Sequence, residues 1–501
     1  MDIMINGKEY IKGIKHKHIL ILILIGLTGL FLRSVSFYFN QYPHHDVFNL
    51  AMLTENLGNH GHLWIEGWIW TEGLATNSQH LHVFSQYAPG WNFFSLPFYF
   101  ITGDGFTAIK ALSLLSGIIF LVLVYFLFKE LFDEKVALLS LVFCAFSTIL
   151  VDYSANGSPY ILCAAFVLIY VFFLLRIKEL NRYWALIFGL FLALSPLVHN
   201  ILALMLGSFI FLIIIEKDVR KFVMENKTVI TGIFMGLSLY LLYHQLIYDT
   251  PLPPQMTMAF SYASESTSNG ILALVLTKLK SIGFIGYKSI YAFSAVLLPF
   301  MAGGILHIWR DFKSYPKEKR IPILGILVYI FIYLLYLIVV NMGFRDFVTL
   351  TPLFLCFAAL YLTKLNKKEL TIFVVLVFIA TSMIPLARSP HTYYFPDWED
   401  EYISEVLATK ECAEFLKQQE RGTVLSYGGG GIELFYYTRF PYVHGDVYPY
   451  GLVNSTKLQE LIDKHNPMYI YTESQHLDLF SKDFKIIKNK NDFYLLKYRS
   501  L

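Results

Sequence analysis

Charge is scarce in this 501-residue chain: Lys, Arg, Asp and Glu together make up 15 % of it, where a soluble domain carries about 25 %. With 56 % hydrophobic residues and a mean hydropathy of +0.52, this excludes a large soluble enzyme, a disordered chain and a fibre. Cysteine is scarce too. Of four, Cys144, Cys163 and Cys356 lie in apolar runs and only Cys412 lies towards the C-terminus, so that part can close no internal disulfide. No basic tract suited to nucleic acid occurs, nor any internal repeat or low-complexity segment. The few charges are unevenly spread: residues 1–387 hold 27 Lys/Arg and 21 Asp/Glu, while residues 388–501 hold 13 and 16. Two compartments follow, a multi-spanning membrane domain (1–387) and a soluble tail (388–501) long enough for one small domain.

A bilayer span needs about 20 apolar residues. Runs of that kind fall near 18–39, 106–128, 136–152, 158–175, 183–198, 199–215, 228–247, 289–309, 321–341, 346–363 and 370–387, about eleven in all. The first lacks a small-residue cleavage site and reads as a span, not a signal peptide. Residues 92–103, NFFSLPFYFITG, are too short to cross and read as a segment lying in the interface. Positive charge orients the set. With the N-terminus in the cytoplasm, 21 of the 27 Lys/Arg fall in cytoplasmic segments. Arg33, Lys110, Lys278, Lys280, Lys288 and Arg345 are left outside. An odd number of spans then makes the tail extracytoplasmic.

Two outer segments are longer than connectors need to be, and long ordered loops beside rigid spans carry function. Residues 40–105 contain no Lys or Arg, and residues 248–288 hold a TPLPP turn. The tail reads as α/β: a helix near 400–419, the strand TVLSYG, a glycine run, a short helix, PYVHGDV, a helix at 457–465 opened by a capping box of Thr456 with Gln459, then MYIYTE and a closing hairpin.

Within the first outer loop Asp46 precedes a helical pattern in which Val47, Leu50, Leu53, Thr54 and Leu57 share a face. It can cap that helix, and it can serve as a general base at the membrane face. Glu55, nine residues on, lies on the opposite side of the helix and is no partner for it. Asp152, in VDYSANGSP, is the better second acid. His44, His45, His60, His62, His80 and His82 crowd the same loop, six of fifteen histidines. Imidazole suits a transition metal, so a divalent metal is a candidate cofactor. No multi-ligand spacing marks a site, and substrate hydrogen bonding by His44, His45, His80 and His82 is the stronger reading. Arg345, before the tenth run, offers a planar fork suited to a lipid phosphate or an interfacial anchor. Lys110, Lys288 and Arg33 can share either task. The SYGGGGIELFYY stretch lacks the lysine of a phosphate loop and reads as a strand-to-helix turn.

Four landmarks, in order, resemble the GT-C membrane glycosyltransferases, in the branch of dolichyl-phosphate-mannose–protein mannosyltransferases and the bacterial aminoarabinose transferase. They are YPHHDVFNLA after the first span, QYAPGWNFFSLPFYFITG before the next, LFDEKVALLSLVFCAFSTILVDYS, and RDFVTLTPLFLCFAAL. A soluble α/β tail outside the membrane is a fifth. Relatives carry an Asp-Glu pair where this chain has Asp46 followed by Val47, so Asp46 alone matches. The resemblance implies a GT-C-like polytopic α-helical fold in the cell membrane. It also implies an inverting transfer of sugar from a polyprenyl- or dolichyl-phosphate donor to a protein, glycan or lipid acceptor, with Asp46 as base and Arg345, Lys110 or Lys288 on the leaving phosphate. A transporter would show broken midplane helices and inverted repeats, and the sequence shows neither. A non-catalytic glycan-binding scaffold is the reading that the missing second acid favours.

Overall fold

The computed structural model describes residues 16–39, 45–61, 64–66, 68–69, 82–84, 88–248, 294–340, 344–388, 396–428, 431–438, 440–444, 446–447, 451–452, 455–480 and 482–499. Every apolar run of the sequence contains helix. The chain opens with α1 (His16–Phe39), α2 (His45–His60), the short strands β1 (Trp64–Glu66), β2 (Trp68–Ile69) and β3 (His82–Phe84), then α3 (Gly90–Thr102) and α4 (Gly105–Leu131). The bundle continues through α5 (Glu134–Phe146), α6 (Thr148–Tyr153), α7 (Tyr160–Leu175), α8 (Arg182–Leu194), α9 (Ala203–Ile215), α10 (Lys217–Glu225) and α11 (Lys227–Tyr248). It is completed by α12 (Leu298–Asp311), α13 (Lys317–Val340), a 3-10 turn (Phe344–Thr349), α14 (Thr351–Leu365) and α15 (Lys368–Arg388). Short polar side chains set several starts: Asp104 accepts from Thr107 N (2.7 Å) and Asp133 from Val136 N (2.9 Å). Asn181 accepts from Tyr183 N (3.1 Å) and Trp184 N (3.0 Å).

Among the described residues four helices are long and apolar enough to cross a bilayer, and a fifth if the bent pair 200–215 and 217–225 is one span. Shorter apolar helices are Tyr160–Leu175, Arg182–Leu197 and Thr351–Leu365. The run 136–152, read as continuous, is broken at Ser147, whose backbone is extended (φ −64°, ψ 117°) between α5 and α6. In α3, Trp91, Asn92, Ser95 and Tyr99 are buried while Phe93, Phe94, Phe100 and Ile101 are exposed, the division expected of a segment lying along an interface.

The tail holds α16 (Pro396–Leu416), β4 (Val424–Tyr427), α17 (Gly431–Thr438), β5 (Tyr442–His444), β6 (Asp446–Val447), β7 (Gly451–Leu452), α18 (Ser455–His465), β8 (Tyr469–Glu473), β9 (Phe484–Lys490) and β10 (Phe493–Tyr498). Its main sheet has the order β2-β5-β4-β8-β10-β9. β2, β5, β4 and β8 run parallel and the β9–β10 hairpin closes antiparallel on β8. Strand side chains alternate between two cores, as the period of two requires. Leu425, Val443, Ile470 and Leu496 pack with Leu458 and Leu461 of α18. Val424, Tyr469, Tyr471 and Leu495 pack with Cys412, Leu416, Leu434 and Phe435 of α16 and α17, and with Met52 and Leu53 of α2. Two features depart from the sequence reading. The edge strand β2 comes from the first long loop, so the tail's sheet is built from both parts of the chain. Gln459 does not close a capping box; it donates forward to Asp463 (2.9 Å).

Candidate active site

Four segments meet at one end of the bundle. Val47 and Leu50 of α2, Trp91 of α3, and Ile109 and Leu112 of α4 form one buried apolar cluster. The turn between α6 and α7 seals it. Gly157 has φ +89°, a conformation that favours glycine, and a Cβ there would meet Val47 Cγ1 at 3.0 Å and Ile109 Cγ1 at 3.1 Å. Trp91 Nε1 donates to the Gly157 carbonyl (3.1 Å). The first turn of α2, which carries His45 and Asp46, is therefore held against the turn that follows Asp152.

Asp152 is 6 % exposed, on α6. Its carboxylate accepts from Asn156 Nδ2 (3.3 Å). Asn156 Oδ1 in turn accepts from Ser158 N (3.0 Å) and Ser158 Oγ (2.8 Å), and Ser113 Oγ donates to the Ser158 carbonyl (3.2 Å). The Asn156 sequon is thus buried and engaged. Lys110, also 6 % exposed, lies within electrostatic range of Asp152. Its ammonium donates to the Phe37 carbonyl (2.6 Å) and stands 4.6 Å and 5.2 Å from the Phe37 and Phe106 ring centres. The 3-10 turn that carries Arg345 packs against α6 and α7. The elements bearing Asp46, Lys110, Asp152 and Arg345 thus converge, although they lie some 300 residues apart in the chain.

His44, His80 and Lys288 lie outside the described residues. His45 opens α2 and His82 opens β3. Among the described residues no three His, Cys, Asp or Glu side chains gather to hold a metal ion. Arg33 is corrected. It is fully buried, and its guanidinium donates to Ser154 Oγ (3.1 Å) and to the carbonyls of Gly29 (3.0 Å), Ala145 (3.2 Å) and Cys144 (3.2 Å), so it faces no lipid phosphate.

Two contacts escaped the sequence. Thr54, Asn92 and Ser95 form a buried polar lock between α2 and α3: Asn92 Nδ2 donates to Leu50 O (2.8 Å) and Thr54 Oγ1 (3.0 Å), and Thr54 Oγ1 lies 2.8 Å from Ser95 Oγ. The other joins tail to bundle. Phe48 stacks near Tyr436 and Tyr437 of α17 (5.3 and 5.9 Å between centres). Tyr436 Oη reaches Asp104 Oδ1 (3.3 Å) and Glu55 Oε1 (3.5 Å), while Glu55 Oε1 accepts from Gly105 N (3.1 Å). Glu55 indeed turns away from Asp46, towards the start of α4.

Bundle, interface-lying helix and α/β tail together are similar in fold to solved structures of ArnT and of an archaeal oligosaccharyltransferase. Residues 87–244 match the profile of the family described as dolichyl-phosphate-mannose-protein mannosyltransferase. That stretch contains Lys110 and Asp152 and leaves out Asp46 and Arg345. ArnT from Cupriavidus metallidurans bound to undecaprenyl phosphate is similar in structure (TM-score 0.65, 11 % identity, covering 95 % of this chain and 97 % of that one). So is the Archaeoglobus fulgidus oligosaccharyltransferase in complex with Zn and sulfate (TM-score 0.61, 14 % identity, 91 % and 68 % covered). The same archaeal enzyme, AglB, with an inhibitory peptide and a dolichol-phosphate matches at TM-score 0.61 and 12 % identity, with 92 % and 70 % covered. No curated protein matches the chain.

Proposed function

We propose that the protein is a membrane glycosyltransferase that moves a sugar from a polyprenyl- or dolichyl-phosphate donor to an acceptor hydroxyl at the extracytoplasmic face, with inversion. The N-terminus is cytoplasmic and the tail extracytoplasmic. The observation that carries the reading is the convergence of an acid-bearing helix start, the Lys110–Asp152 pair and the Arg345 turn at one end of an apolar bundle. A lipid-linked donor needs that combination: a bilayer-facing flank for its chain, cations for its phosphate and a carboxylate for the acceptor. Asp46 takes the acceptor's proton while the acceptor oxygen bonds to the anomeric carbon. The bond from that carbon to phosphate oxygen breaks, and the lipid phosphate leaves with the electron pair. Arg345 and Lys110 stabilise the charge that gathers on it, and Asp152 is the second carboxylate of the site, beside Lys110. The sugar or acceptor is assigned to the histidines of the first outer loop, His45 and His82 among them.

The test compares cell-surface glycans and glycolipids, by mass spectrometry, from cells with the gene, without it, and with Asp46→Asn. A product that depends on the gene should vanish in the variant, because removing a general base loses about two to four orders of magnitude. Asparagine caps a helix as well as aspartate, so a capping role alone predicts little change. A normal product level from well-expressed Asp46→Asn would remove Asp46 as base. Absence of any gene-dependent glycan or glycolipid would remove the proposed activity.

A further inference from the structure

We infer that Arg33 is a positioning residue for Asp152, an inference that rests on the proposed activity. A guanidinium buried within an apolar bundle is expensive to hold, and such residues mark function. No carboxylate pairs with it among the described residues; its acceptors are one hydroxyl and three carbonyls. Two of those carbonyls, Cys144 and Ala145, belong to the last turn of α5, where a helix end leaves carbonyls without intrahelical partners. The hydroxyl, Ser154 Oγ, sits just past α6 and itself donates to the Leu150 carbonyl (2.5 Å). The planar fork of Arg33 therefore spans the break at Ser147, gripping α5 on one side and the far end of α6 on the other. α6 has only six residues and carries Asp152 two positions before Ser154. So short a helix has little stability of its own, so its orientation depends on what holds its ends. Its far end is held twice, by Arg33 through Ser154 and by the Asn156–Ser158 turn beyond, while Arg33 ties that end back to α5 across the break. The close approach requires glycine opposite: a Cβ on Gly117 would meet Ser154 Oγ at 2.5 Å and Ser154 Cβ at 2.6 Å, with Arg33 Nε at 3.3 Å. The chain thus breaks a span to aim a carboxylate, and uses a buried arginine from the first helix to fix the aim.

The test uses the full chain in nanodiscs and in cells, with Arg33→Lys, which keeps the charge but loses the fork, and Ser154→Ala, which keeps Arg33 but removes one acceptor. Hydrogen–deuterium exchange should rise about tenfold or more at residues 147–158 in both variants, and stay unchanged across the α8–α11 pair. Formation of the gene-dependent product should fall roughly ten- to hundredfold for Arg33→Lys, since a displacement of about 1 Å can lose on the order of a hundredfold. In an Asp152→Asn background the same substitution should lose nothing more. Unchanged exchange at 147–158, exchange raised across the whole bundle, or losses that add in the double variant would each overturn the inference. If Asp152→Asn alone leaves the product intact, the proposed role of Asp152 fails, while the exchange measurement still decides whether Arg33 holds α6.

Discussion

Arg33 and Lys110 are both buried cations on the same side of the bundle, yet their surroundings differ in kind. Arg33 meets only fixed internal acceptors, whereas Lys110, besides its bond to the Phe37 carbonyl, stands over two aromatic rings with a carboxylate in range. That difference separates a structural clamp from a group that can turn to a ligand. The same distinction applies to Arg345. If its fork grips the donor phosphate, donor use should fall in the order Arg, Lys, Ala, and Arg345→Ala should weaken it about ten- to a hundredfold, the value of a charge-assisted hydrogen bond of roughly 1.5–3 kcal/mol. Donor titration of the three variants in nanodiscs checks this; flat kinetics would leave Arg345 as an anchor and pass the phosphate to Lys110. In the tail, burial pushes the Cys412 thiol up to about 11. The folded state therefore holds the thiol proton more tightly than the unfolded one. The stability this contributes is complete below the ordinary thiol range and is lost as pH rises towards 11. Maleimide at pH 8.5 should label Cys412 slowly in the native chain and quickly once the tail is unfolded.

At the scale of elements, α8 and α11 meet through glycine. A Cβ on Gly189 would run into the Val229 carbonyl, and one on Gly232 into that of Leu186, so the two backbones lie against each other. Gly189→Val should lower stability by about 1–3 kcal/mol, seen as earlier thermal unfolding in detergent. Gly207→Val, with nothing within 4 Å of its Cβ, should leave it unchanged. Hydropathy found the helices because a bilayer selects composition over some 20 residues. It could not find the break at Ser147, because a serine between apolar stretches barely lowers a window average. The signal was Arg33, a charge far away in the chain. Likewise Asp46 and Asp152 stood out as acids after apolar runs, but the packing of the segments that carry them depends on Gly157 and Trp91, whose roles exist only once three helices pack. The two-residue strand β2 carries no periodicity at all.

For the whole molecule, the orientation is a claim about which side each loop faces. A reporter fused after Leu501 should be active only outside the cytoplasm, and one placed within residues 312–316 only inside; the reverse result would put the tail on the wrong side for the proposed reaction. The joint sheet has a consequence in time. β2 is made early, at residues 68–69, but its partner β5 is made at 442–444, and Met52 and Leu53 of α2 wait for Leu434 and Phe435 of α17. Closing so long a loop adds only a logarithmic entropy term to the finished fold, but it dictates sequence of assembly. During synthesis the helix that carries Asp46 is made early and stays uncovered until α17 and β5 of the tail have been made. A chain halted between residues 388 and 442 holds every helix described for the bundle and still lacks the wall that completes α2, so the C-terminal end acts as the final stroke of assembly, and the proposed activity would date from its arrival.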